Sequence, residues 1–182
     1  MGKRSSFVRK DRDFYPTPLP AVYPLLPHLD SETAFVEPCA GDGALVEHLE
    51  AAGHQCLGSS DIEPQVEWID RLDVFDLEKC GGDVFITNPP WDRMILHPLI
   101  THLSYIAPTW LLFDGDWAHT KQAVQFLPRL KKIVSIGRVK WIEGSSSTGK
   151  DNCAWHLFSS PESDQILFFG RGHKNPLHDF GE

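Results

Sequence analysis

Cysteine is scarce and unpaired in this chain: Cys39, Cys56, Cys80 and Cys153 form no CxxC pair, and no histidine stands at finger-like spacing from them. A disulfide framework and a structural zinc site are therefore not expected, and the thiols read as ordinary buried or half-buried side chains. The nine histidines contain no HxH or HExxH arrangement, so no metal site is expected among them either. No apolar run approaches the roughly 18 residues of a membrane helix, so no membrane partner is expected. The basic start, MGKRSSFVRKDRDF, lacks the apolar stretch of a secretory signal, and a cytoplasmic location follows as the expectation. There is no internal repeat and no low-complexity tract beyond GSSSTG. What remains is 182 residues with 23% charged and 11% aromatic side chains, enough for one domain with a proper core and too ordered in composition for a disordered chain.

Acid outnumbers base, 25 to 17, which at first argues against a nucleic-acid partner. The distribution argues the other way. Residues 30–83 hold fourteen acidic and two basic side chains. Residues 1–12 hold five basic and one acidic, and residues 129–150 six basic and one acidic. Screening confines each charge to about 8–10 Å at physiological salt, so a chain acidic overall can still offer phosphate a basic rim. The plain alternative is a pair of solvated faces.

Residues 1–13 read as a mobile basic arm. Residues 13–30 carry five prolines and read as a stiff approach segment with a short helix near its end. Strands are then expected at 33–37, 55–60, 83–87 and 109–114. Helical stretches are expected at 42–53, 64–71, 97–106 and 119–127, with Gly53 and Pro108 as stops. Three late strands, 132–142, 152–158 and 165–169, follow without helices between them. Alternation early and direct pairing late indicate an α/β sheet, mainly parallel with an antiparallel edge. Trp110, Trp155, Phe158, Phe168 and Phe169 read as core.

Three motifs carry chemistry. In FVEPCAGDGAL a buried strand runs through a turn of small residues, Ala40, Gly41 and Gly43, into a helix, so backbone N–H groups can approach a ligand. Glu37, closing the strand, suits a cationic group such as an ammonium better than a pyrophosphate. About 20 residues on, Asp61 in SDIEP stands where an α/β nucleotide site bonds ribose hydroxyls; its alternative is a helix cap ahead of Pro64. Asn88-Pro89-Pro90-Trp91 follows the strand DVFIT directly. Two prolines cannot extend a sheet ladder, so the turn is rigid and its carbonyls are free of the sheet. Asn88 adds an amide and Trp91 a flat face, together a cradle for a planar group bearing an NH2.

These residues resemble the class I S-adenosylmethionine-dependent methyltransferases, and within them the DNA adenine-N6 methyltransferases of short phage or prophage type. The matching stretches are FYPTP at 14–18, EPCAGDGAL at 37–45, DIEP at 61–64 and NPPW at 88–91. The resemblance implies a Rossmann-like, mostly parallel seven-stranded sheet with helices on both faces. It implies one methyltransferase domain over residues 14–182, with no separate target-recognition domain. The implied cofactor is S-adenosylmethionine. Glu37, Pro38, Ala40, Gly41 and Gly43 would hold its methionine part, and Tyr15, Pro16 and Thr17 would close over that end. Asp61 would take the ribose hydroxyls and Ile62 would lie against the adenine. Asp73, with Val74 beside it, would take the adenine amine, with Asp76 as its competitor. Asn88, Pro89, Pro90 and Trp91 would be catalytic, Asn88 also touching the cofactor.

The implied partner is adenine-containing DNA, with RNA adenine or protein glutamine as alternatives, and with a catalytically idle nucleic-acid-binding module as the non-enzymatic one. Phosphate contacts are expected from Lys3, Arg4, Arg9, Lys10 and Arg12 of the arm, from Lys131, Lys132, Arg138 and Lys140, and from Lys150. A monomer or weak dimer in a bacterial or phage-infected cell is expected. Gly144 to Lys150 imitates a phosphate-binding loop, but Asp151 stands where Ser or Thr should hold the metal, and a strand follows instead of a helix.

Overall fold

The computed structural model describes residues 15–142, 149–160 and 166–170; the basic arm and most of the GSSSTG loop lie outside them. Strands β1 (Ala34–Glu37), β4 (Val84–Thr87) and β5 (Thr109–Asp114) are nearly continuous apolar or β-branched runs, as strands covered on both faces must be. They join β2 (Gln55–Asp61), β3 (Asp70–Arg71), β6 (Leu130–Arg138), β7 (Asn152–Phe158) and β8 (Leu167–Phe169) in one sheet of order β3-β2-β1-β4-β5-β7-β6-β8. Strands β3 to β5 pair in parallel along that order. β7 runs antiparallel between β5 and β6, and β8 lies parallel to β6. This is the expected mixed sheet, with one strand more.

The extra strand is β3, inside the stretch 64–71 expected to be helical. Its backbone groups go elsewhere: Gln65 N donates to Gly41 O at 2.9 Å, and Leu72 N donates to Asp61 O at 3.0 Å. The tertiary partners of this segment outcompete the i→i−4 pattern. The stretch 119–127 is likewise 3-10 turns, Gly115–His119 and Lys121–Arg129, which bury Trp117 and Phe126. Helix α2 (Ala44–Ala51) ends before Gly53, whose φ of +95° suits a chain reversal. Helix α3 spans Arg93–Ile106, four residues earlier than the periodicity suggests, because the Asp92 carboxylate caps it by accepting from Met94 N at 2.8 Å. The proline-rich approach holds one α-helical turn, α1 (Leu19–Val22), and a 3-10 turn near its end, Leu26–His28.

Along β5 the side chains alternate between two cores. Trp110 and Leu112 face α1, α2 and Trp155; Leu111 and Phe113 face α3, Trp117 and Phe158. Trp110, Trp155 and Phe158 are buried as expected, whereas Phe168 is exposed, since β8 is the edge strand and only one face of it is covered. The order of strands reverses between β1 and β4, and β1, β2 and β4 end on the same edge of the sheet. A crevice opens at such a reversal. Among the described residues no helix is long and apolar enough to cross a membrane.

His156 of β7 is fully buried and stacks on Phe113 at 3.9 Å between ring centres. Burial pushes its pKa down from 6.5 to about 3. The unfolded chain therefore binds this proton first, and stability falls as pH drops below 6.5. Urea unfolding at pH 7 and pH 5 is expected to show His156→Leu losing about 2 kcal/mol less than the wild type over that interval, provided the side-chain swap leaves m unchanged.

Candidate active site

The loop after β1 is held by its backbone. Ala40 N donates to Ser60 O at 2.9 Å, Gly43 N to Ala40 O at 2.8 Å, and Gly41 N to Asp61 Oδ2 at 2.9 Å. The other Asp61 oxygen accepts from Glu63 N at 2.8 Å. Asp61 thus pins the glycine turn to the end of β2, and each of its oxygens keeps a lone pair for a ligand. Gly43 stands at φ +86°, and a Cβ there would overlap the indole of Trp68. Glycine is needed on both counts.

Around this loop lies a cavity of about 880 Å³. It brings together Tyr15, Pro16, Thr17, Glu37, Pro38, Ala40, Gly41, Asp61, Ile62, Asp73, Val74, Asn88 and Pro90, stretches up to 75 residues apart in sequence. Gly43 lies beneath Trp68 instead, Pro89 is buried, Trp91 is half-buried, and Asp76 is exposed; none of the four lines the cavity. Asp73 accepts from Phe75 N at 3.0 Å at its mouth. Sequence reasoning missed Cys39, Asp42, Leu45, Glu63, Gln65, Phe75, Asp92, Ile95 and Leu99 as lining residues. Two signals for them existed: Asp92 as a helix cap, and Ile95 with Leu99 on one face of α3.

The lining is one-signed. Glu37, Asp42, Asp61, Glu63, Asp73 and Asp92 contribute carboxylates, and among the described residues no Lys, Arg or His lines it. Glu37 is buried, and its Oε2 has no hydrogen-bond partner among the described residues. Burial first, then the charges of Asp42 and Asp61, push its carboxyl well above the usual range. Such a group binds a cation or an N–H donor to advantage. Cys39 beside it is pushed up as well, by burial and then by Asp61, which leaves a neutral thiol.

Asn88 sits at the end of β4 with both ends of its amide assigned partners. Its Nδ2 donates to Thr17 Oγ1 at 3.2 Å and to Tyr15 O at 3.4 Å. Its Oδ1 accepts from Trp91 Nε1 at 3.4 Å, while that indole N–H reaches Leu112 O more closely, at 3.1 Å. Trp91 packs edge-on to Trp141, 5.8 Å between centres, and Trp141 lies 6.4 Å from the ring of Tyr15. An aromatic group therefore surrounds the Asn88 corner.

The basic residues divide. Lys3, Arg4, Arg9, Lys10 and Arg12 lie outside the described residues. Lys131 donates to Pro128 O at 3.2 Å, and Lys132 lies over the Trp110 and Phe169 rings at 5.8 and 5.7 Å. Arg138, Lys140 and Lys150 are exposed. Register places Lys132 opposite Leu157 and Arg138 opposite Asn152, so the two groups sit at opposite ends of β6, roughly 20 Å apart at 3.3 Å per residue. Arg138 is at the end where β5 closes with Asp114, the side of the cavity. Of the loop that imitates a phosphate site, Gly149 N closes onto Val139 O at 2.8 Å, and β7 follows as a strand.

A raised carboxyl contributes stability that is full below its ordinary value of 4.5 and is lost as pH climbs toward the raised one. Glu37→Gln is therefore expected to raise the melting temperature of the ligand-free protein, by a margin that widens from pH 4.5 upward. In calorimetry the same variant should bind a cationic ligand of this cavity about tenfold more weakly or worse.

No family model and no curated protein matches the sequence. Solved structures do match in shape. A protein from Pyrococcus horikoshii described as an RNA methyltransferase aligns with a TM-score of 0.55 at 15% identity, over 87% of this chain and 93% of that one. One from Listeria monocytogenes, described as a class I S-adenosylmethionine-dependent methyltransferase, aligns with 0.55 at 10% identity, over 90% and 67%. A type I restriction-modification methyltransferase subunit from Streptococcus thermophilus aligns with 0.58 at 9% identity, over 85% of this chain and 47% of its own length. This chain thus spans about half of that subunit. The architecture is that of the Rossmann-like class I methyltransferases, with the acid-lined cavity set over the reversal point of the sheet.

Proposed function

We propose that this chain is an S-adenosylmethionine-dependent methyltransferase acting on the exocyclic N6 amine of adenine in DNA. The observation that carries the reading is Asn88, held at the wall of an acid-lined cavity with its Nδ2 on Thr17 and Tyr15 and its Oδ1 accepting only a long bond, 3.4 Å, from Trp91 Nε1. The cavity suits the cofactor, whose sulfonium and ammonium are cations among six carboxylates. Glu37 Oε2, buried and unpartnered among the described residues, suits the ammonium. Asp61 would take the ribose hydroxyls on its unused lone pairs, Ile62 the face of the adenine, and Asp73 its amine. When bound, the cofactor supplies an electrophilic methyl group.

The residues of the chain have three tasks. Asn88 Oδ1 accepts an N–H bond of the target amine, which draws its lone pair out of the ring and back onto nitrogen; the Pro89 carbonyl, expected as the second acceptor, belongs to a residue that does not line the cavity. The rigid Pro89-Pro90 turn fixes the Asn88 acceptor, so orientation is set before the amine arrives. A duplex base must first leave the stack, at a few kcal/mol, and the aromatic group of Tyr15, Trp91 and Trp141 offsets part of that. Arg138, Lys140 and Lys150, on the cavity's side of the sheet, would hold phosphates. Adenine in RNA is the second reading, favoured by the likeness to the Pyrococcus protein.

Asn88→Ala is expected to abolish label transfer from tritiated cofactor while leaving cofactor affinity within a few-fold; full activity would refute the reading. DNA, total RNA and protein offered in parallel identify the substrate. Nucleic-acid affinity should fall steeply between 50 and 200 mM salt, roughly tenfold or more if three phosphate contacts form, and Arg138→Ala with Lys140→Ala should flatten that slope. A flat wild-type response would remove the proposed surface.

A further inference from the structure

Thr17 is one of the few polar side chains buried in this protein, and it lies at the cavity wall, not in a core. Its neighbours make it stiff. Pro16 precedes it, and Pro18 follows it and restricts its backbone to the extended region. Pro18 then opens α1, whose Ala21 and Val22 are buried. Ala21 O accepts from Trp155 Nε1 at 2.8 Å, a buried bond to β7. The Thr17 hydroxyl is thus delivered to a fixed place by a segment anchored in the sheet.

At that place stands the Asn88 amide. A primary amide has two N–H bonds and one carbonyl oxygen, and a half-turn about its last torsion exchanges them. Nδ2 faces two acceptors, Thr17 Oγ1 and Tyr15 O, and Oδ1 faces a donor, the Trp91 indole. The reversed amide would set its oxygen against a carbonyl and its hydrogens against an indole N–H. Both amide hydrogens are consumed by the protein, and only the oxygen has a lone pair to spare.

We infer that Thr17 is a positioning residue: with the Tyr15 carbonyl it saturates the donors of Asn88, so the site meets its substrate only as an acceptor and selects groups that carry N–H. A primary amine or amide satisfies it. A keto oxygen or a bare ring nitrogen at the same point faces an acceptor and is rejected by an unmade bond. This inference rests on the methyl-transfer reading and assigns to Thr17 a task separate from closing the cavity.

The test uses the full chain as wild type, Thr17→Val and Thr17→Ser. Cofactor affinity is measured by calorimetry, folding by thermal melting, and single-turnover label transfer at saturating cofactor on whichever of DNA, RNA or protein the wild type labels. Thr17→Val is expected to keep cofactor affinity within about threefold and to lose about 10–100-fold in transfer rate; Thr17→Ser should recover most of it. Full rate in Thr17→Val overturns the inference, as does a loss that follows cofactor affinity alone. A second measurement stands independent of activity and of the variants' folding. In the nitrogen-15 spectrum of the wild type, the Asn88 side-chain amide, assigned by its absence from Asn88→Ala, should exchange slowly with solvent. Fast exchange overturns the inference, whereas slow exchange in a protein that labels no substrate leaves Thr17 its place and removes the methyl-transfer reading instead.

Discussion

The bond from the Gly41 amide to the Asp61 carboxylate is the constraint on which the site depends. It joins the turn after β1 to the end of β2 across 20 residues, and Ala40 N to Ser60 O repeats the tie one residue earlier. Together they set the width of the crevice at the point where the strand order reverses. A side chain in this position that packed well but accepted no hydrogen bond would leave the turn unmoored. Asp61 is therefore a structural acid and a binding acid at once, since a carboxylate has more lone pairs than the two backbone amides use.

Charge in this molecule is arranged by depth. Acids line the cavity, and the most buried of them, Glu37, is also the least solvated. At Glu37 the lining opposes its own folding, because that carboxyl loses water and gains Asp42 and Asp61 as like-charged neighbours. Exposed cations stand outside, on the same side of the sheet. A polyanion is attracted to the rim and repelled from the interior, which leaves the interior to uncharged or cationic groups. Net charge alone does not report this arrangement: six carboxylates line the pocket while Arg138, Lys140 and Lys150 stand exposed beside it.

Most of the architecture was legible in the sequence because the buried strands are short and strongly apolar. VFIT and TWLLFD have no competing reading. The misread stretches are those whose backbone is used by distant partners. Residues 64–71 have the spacing of a helix, yet Gln65 and Leu72 bond to Gly41 and Asp61, which no local pattern reveals. Residues 119–127 keep the right buried faces in the wrong kind of turn, since apolar spacing scarcely separates 3-10 from α. Within the site, Gly41, Glu37, Asp61 and Asp73 announced themselves by type, whereas Asp42, Glu63 and Asp92 did not. Trp68 over Gly43 did not, nor did Leu112 O as a partner of Trp91, because both are contacts of tertiary approach without local signature.

The Trp155–Ala21 bond spans 134 residues, and the Asn88–Thr17 bond spans 71. Closure of loops that long is slow, and local contacts do not hasten it. The Ala21–Trp155 bond forms only once β7 has presented its indole to the approach segment. On this order of events the sheet forms first, and the cavity wall at Tyr15, Pro16 and Thr17 is finished last, together with the Asn88 corner. A nascent chain could then hold a nearly native sheet while still lacking an oriented amide, so that chemical competence would mark the completion of folding.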